Sequence, residues 1–166
     1  MNKDIVPIMS EFGAAVHSAQ VLESGLGLLQ SLIALHQDIK FSVGPNKAFR
    51  AGNEAKSLGA IFKAVKELGF FTSAEEKEIW RAINIRNNLV HSFLVERALQ
   101  MAKTKGRREV LAEVAEIRVA IRKATEIVDF WIDKYLAKYN TSIEDAKAAA
   151  EKLWESDSRQ ERDKLH

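Results

Sequence analysis

Apolar residues recur along this chain at intervals of three and four, the spacing that lines up one face of an α-helix, and no convincing strand appears. The first such window holds Phe12, Val16, Ala19, Leu22, Leu26, Leu29 and Ile33 and predicts a helix from about Asp4 into the thirties, with Gly44-Pro45 closing the loop after it. A shorter window places Leu58, Ile61, Phe62, Val65 and Leu68 on one face, with Gly69 as the C-terminal cap. Ser73 and Glu76 have capping-box spacing and open a third helix expected to reach about Ala102. Lys103 to Arg108, with Gly106 inside it, reads as a turn. Beyond it Val110, Val114, Ile117, Ile121, Ala124, Val128, Trp131 and Tyr135 mark a second long helix. Thr141 with Glu144 repeats the capping-box spacing and predicts a last helix to about Trp154.

About five helices, two of them long, predict an all-α antiparallel bundle, with residues 1–154 as one domain and 155–166 as a charged, frayed tail. At 166 residues, 46% apolar and 29% charged, the chain can bury a core without metals or disulfides. It has no cysteine, which excludes a disulfide framework, a thiolate metal site and a cysteine nucleophile, and which favours the cytoplasm. No run of residues is apolar for long enough to span a bilayer, and the N-terminus lacks the pattern of a secretory signal. Neither a cofactor nor a metal is implied: the four histidines are scattered, no pair shares ligand spacing with a carboxylate, and there is no glycine-rich phosphate loop.

Net charge is only +2, but it is unevenly placed. Between Arg97 and Lys123 eight basic residues stand against three acidic ones, a local surplus of five that is suited to attracting phosphate. Arg107, Arg108, Arg118 and Arg122 are the candidate phosphate contacts.

The richest chemistry lies on the third helix, where steps of three and four bring Trp80, Asn84, Asn87, Asn88 and His91 close together. Three asparagines in five positions work against helix propensity, and such departures often mark function. Arg86 precedes His91 by five residues, about 140° around the helix. An imidazole that titrates near neutrality can move a proton, a guanidinium can fork onto phosphate oxygens, and Asn87 can hydrogen-bond the same phosphate or orient the ring. Trp80, one turn before Asn84, is placed to stack on a base, and Asn84 and Asn88 complete the RNA-contacting face.

Arg86-Asn87-Asn88-Leu89-Val90-His91 resembles the motif of the HEPN superfamily, small helical bundles defined by an Arg, then four to six residues, then a His, often with a polar residue directly after the Arg. The resemblance implies a metal-independent endoribonuclease of a toxin–antitoxin, phage-defence or RNA-processing system, with Arg86, Asn87 and His91 as the active-site set. It also implies a homodimer in which two motif helices form one cleft, an RNA substrate and a possible antitoxin or regulatory protein as partner. Where the toxins that pair with nucleotidyltransferase antitoxins often carry a tyrosine two residues after the His, this chain has Phe93, so modification at that position is not available. Ser57-Leu58-Gly59-Ala60-Ile61-Phe62 followed by the Arg-Asn helix is also similar in layout to mannitol operon repressor relatives, helical proteins thought to act through partners. Two readings follow: a ribonuclease, and a non-catalytic helical interaction or regulatory module that retains the motif.

Overall fold

A computed structural model describes residues 5–37, 54–145 and 148 of the chain. Among them are five helices, α1 (Val6–Gln37), α2 (Glu54–Lys66), α3 (Ser73–His91), α4 (Phe93–Met101) and α5 (Thr104–Tyr139), with residues 143–145 also helical and no strand. The protein is an all-α helical bundle with two long helices. Gly44-Pro45, the end of the last expected helix at Trp154 and the tail from 155 to 166 lie outside the described residues.

The chain divides into two compact units, Met1–Gly25 with Gly69–Asp129, and Leu26–Leu68 with Phe130–His166. In the first, Ile8, Ala15, Ala19 and Leu22 of α1 are buried, as are Ile79, Ala82, Ile83 and Leu89 of α3, Phe93 of α4, and Val110, Val114, Ile121, Ala124 and Val128 of α5. Phe12 stacks on Phe93 with ring centroids 6.3 Å apart, and a Cβ on Gly25 would stand 3.2 Å from Val128 Cγ1, so α1 lies directly against both α4 and α5. Ion pairs tie the same helices at their margins: Arg118 Nε to Glu11 Oε1 at 2.5 Å, and Arg97 in a two-pronged contact with Glu113 at 2.9 and 2.6 Å. The second unit buries Leu26, Leu29, Leu32 and Ile33 of α1, Leu58, Ile61, Phe62 and Val65 of α2, and Ile132 and Tyr135 of α5.

Helix ends follow local chemistry, and several differ by a residue or more from the sequence expectation. α3 is capped one position earlier than Ser73: Thr72, extended at φ −71° and ψ 158°, accepts from Glu75 N at 3.3 Å while its own N–H donates to Glu75 Oε2 at 2.7 Å. The last helix likewise starts from Ser142 and Asp145, whose Oδ2 accepts from Ser142 N at 3.1 Å, rather than from Thr141 and Glu144. Both sites carry two hydroxyl residues in a row and two acidic residues three places on, so the box fits either register. At the first, the buried Phe71 must enter the core immediately before the cap. α5 closes with Asn140 at φ 47°, the left-handed position of a Schellman motif in which Asn140 N donates to Ala137 O and Thr141 N to Leu136 O. Gly69 at φ 72° supplies the left-handed residue of the turn after α2.

The helix expected to run unbroken to Ala102 is interrupted at Ser92, whose φ of −136° departs from helical geometry. The expected turn over Lys103 to Arg108 shrinks to Ala102 and Lys103, and Gly106 sits buried within α5. A Cβ there would overlap the Gln100 carbonyl oxygen and stand 2.8 Å from the carbonyl carbon. The glycine thus serves close approach of α5 to the end of α4, not a turn.

Candidate functional site

α3 buries Ile79, Ala82, Ile83, Arg86 and Leu89, so Arg86 occupies the middle of its core-facing side. Only 4% of this residue is exposed. Its charge is met from α1: Nη2 donates to Glu23 Oε2 at 2.9 Å, and that carboxylate is itself 21% exposed. Nη1 donates to Asn87 Oδ1 at 3.4 Å, a long contact that links the buried guanidinium to the half-buried amide beside it. Burial of a charge is tolerable when a hydrogen-bonded counter-charge accompanies it.

The opposite side of α3 is polar. His91, Asn84 and Asn88 are exposed, and Trp80 and Asn87 are half-buried at its edge. The structure therefore brings Trp80, Asn84, Asn87, Asn88 and His91 to one face. It does not bring Arg86 there, since the five-residue step to His91 rotates about 140° and points the two side chains to different surroundings.

His91 is the last residue of α3, and the interruption just after it has a side-chain cause. Asn88 Nδ2 donates to Ser92 Oγ at 2.9 Å and to Glu96 Oε2 at 3.4 Å, while Ser92 Oγ lies 3.5 Å from Asn88 O. A serine that hydrogen-bonds back onto the preceding turn bends a helix. The Ser92 hydroxyl first, the Asn88 amide second and the Arg97 charge to a smaller degree hold the Glu96 carboxyl below the usual carboxylate range. The amide face thus carries a fixed negative charge one turn beyond His91.

Of the arginines expected to meet phosphate, Arg108 and Arg122 are exposed. Arg118 is paired with Glu11. Arg107 is turned inward as a cap on α4, its Nη1 donating to the carbonyls of Met101 at 3.1 Å and Ala102 at 3.4 Å and its Nη2 to Thr104 Oγ1 at 3.0 Å. The local surplus of positive charge is accordingly displayed by fewer side chains than its sequence count. Sequence reasoning passed over Glu23, Glu11 and Glu113, whose signal was an acidic residue beside the apolar stripe of a long helix. It also passed over Ser92.

Among the described residues no three His, Asp or Glu side chains are grouped to hold a metal, and no helix is long and apolar enough to cross a membrane. No protein-family model, curated protein or solved structure matches the chain.

Proposed function

We propose that the protein is a metal-independent endoribonuclease of the HEPN type, acting in the cytoplasm on RNA bound across the amide face of α3 and completed by a second copy of the chain. The observation that carries this reading is the exposure of His91 on the same side as Asn84 and Asn88, next to the Arg86–Asn87 contact. His91 withdraws the proton of a ribose 2′-hydroxyl as that oxygen attacks the adjacent phosphorus. The bond from phosphorus to the 5′-oxygen breaks, and that oxygen takes up a proton to leave a 5′-hydroxyl and a 2′,3′-cyclic phosphate. The amides of Asn84 and Asn88 offer donors to the strand, and the edge of Trp80 offers a surface to a base. Arg86 reaches a phosphate only by leaving Glu23. Within one chain it therefore acts on the site through Asn87, whose side chain it orients.

Incubating purified protein with RNA in EDTA tests the reading. Cleavage should persist, leave cyclic-phosphate ends, spare DNA and fall about a hundredfold or more in His91→Ala. Equal cleavage by parent and His91→Ala would remove it.

The buried Arg86–Glu23 pair supports the second reading, a helical interaction module in which the Arg-Asn motif is structural. On that reading a regulatory protein or antitoxin is the partner, and no RNA is cut in the assay above.

A further inference from the structure

α4 is apolar on two opposite sides. Phe93 is buried against α1, and Arg97 is drawn over its ring, 5.4 Å from the centroid, and paired to Glu113 of α5. About half a turn away, Val95, Ala98, Leu99 and Ala102 form an outward stripe at spacings of three and four, all of it exposed. Val95 is 80% and Leu99 89% exposed, the highest values among the large apolar residues described. An exposed apolar stripe on a helix whose other side is already buried marks an interface.

We infer that this stripe pairs with the same stripe of a second copy, α4 against α4 and antiparallel about a two-fold axis between Ala98 and Leu99. The inference rests on the pattern being complementary to itself under that operation. Val95 of one copy meets Ala102 of the other, and Leu99 meets Ala98, so each large side chain faces a small one twice over, as an isologous interface requires. Charge follows the same symmetry. Glu96 stands near the start of α4 and Lys103 just beyond its end, while Lys105 already faces Glu109 at 3.8 Å, so antiparallel pairing sets each carboxylate toward the partner's lysine-bearing end. Parallel pairing would place like charge beside like and large beside large. Nine residues offer less area than a standard interface of roughly 800 Å² per partner, so the dimer is weak and depends on concentration.

The stripe lies just beyond the break at Ser92, its first residue Val95 four positions after His91. Antiparallel pairing sets the start of α4, which His91 closely precedes, beside the end of the partner's α4. A cleft completed by this partner is therefore completed by its lysine-bearing end. That last step rests on the ribonuclease reading; the self-pairing does not.

The chain has no cysteine of its own, so single cysteines report the register without background. Mixing Val95→Cys with Ala102→Cys protein at high micromolar concentration and oxidising should give a disulfide-linked pair. Either variant alone should give about tenfold less, because like positions are separated by roughly 10 Å along the helices. Sedimentation equilibrium should show a reversible dimer, weakened tenfold or more by Leu99→Glu or by Ala98→Leu. Ala98→Leu combined with Leu99→Ala exchanges knob and hole on both copies and should restore it. A monomer up to several hundred micromolar, or a dimer insensitive to Leu99→Glu, overturns the proposal. Equal self-linking by Val95→Cys alone overturns the antiparallel register. RNA cleavage enters none of these measurements, so their outcome is separate from that of the ribonuclease test.

Discussion

Arg86 and Glu23, 63 positions apart in sequence, meet in the first compact unit with Nη2 2.9 Å from Oε2, and the pair fixes α3 against α1 at the middle of a buried face. Removing one member leaves the other charge uncompensated. Because Arg86 is 4% exposed, Arg86→Ala should cost about 3 kcal/mol in urea unfolding. Glu23→Ala should cost less, about 2 kcal/mol, because the Glu23 carboxylate keeps some contact with water. A double-mutant cycle should return a coupling of about 1 kcal/mol or more, and additive effects would contradict the pairing. Arg86→Ala thus lowers stability and activity together, and His91→Ala, at an exposed position, is the cleaner probe of chemistry.

Gly106 makes a second, sharper test of packing. Its added Cβ would collide with the backbone of Gln100, which cannot swing aside as a side chain can. Gly106→Ala should therefore destabilise by about 2 kcal/mol or more, despite the gain in helix propensity that alanine brings at an internal helical position. Gly13, exposed in α1 with nothing within 4 Å of a built Cβ, supplies the control: Gly13→Ala should stabilise by about 0.5–1 kcal/mol. Thermal melts of the two variants should move in opposite directions.

Helix positions and buried faces were legible because three-four periodicity is a local property: Leu22, Leu26, Leu29, Val114, Ile121 and Val128 are all core residues. Cap positions were legible only to within a residue, since Thr72 and Ser73 with Glu75 and Glu76 satisfy the same rule in two registers. The break at Ser92 depends on a side-chain hydrogen bond whose effect no periodicity reveals. The inward direction of Arg86 was hidden for a different reason. An arginine on an amide-rich helix reads as exposed until its counter-charge is known, and Glu23 lies on another helix. Gly106 was misassigned because a glycine beside basic residues reads as a turn, whereas close helix approach is a tertiary requirement.

Tyr135 predicts an alkaline transition. Burial, followed by the neighbouring Tyr139, pushes the Tyr135 hydroxyl well above the ordinary tyrosine range, and the residue is only 3% exposed. A group whose pKa is raised on folding contributes stability that is complete below its unfolded pKa and is lost as pH rises from there toward the folded value. The window opens at about pH 10. Since the chain has two tyrosines, tyrosinate absorbance should show one of them titrating only as the protein unfolds. Tyr135→Phe should flatten the loss of stability above that pH. A titration in which both tyrosines ionise in the folded protein at the ordinary value would refute the burial argument.

The arginines after α4 separate by what they already hold. Arg107 caps the Met101 and Ala102 carbonyls and Arg118 pairs with Glu11, so reversing either charge breaks an internal contact. Arg107→Glu should lower the melting temperature by several degrees, which corresponds to about 1–2 kcal/mol for a chain of this size. Arg108 and Arg122 are exposed, and their reversal should leave the melting temperature within about 1 °C, as surface substitutions do. If RNA lies against this segment, the double variant Arg108→Glu with Arg122→Glu should weaken binding to unrelated sequences by similar factors and reduce the slope of log affinity against log salt by about 1–2. Filter binding at three salt concentrations measures both quantities at once. An unchanged slope with unchanged affinity would place the RNA elsewhere and confine the role of the basic segment to holding α4 and α5 together.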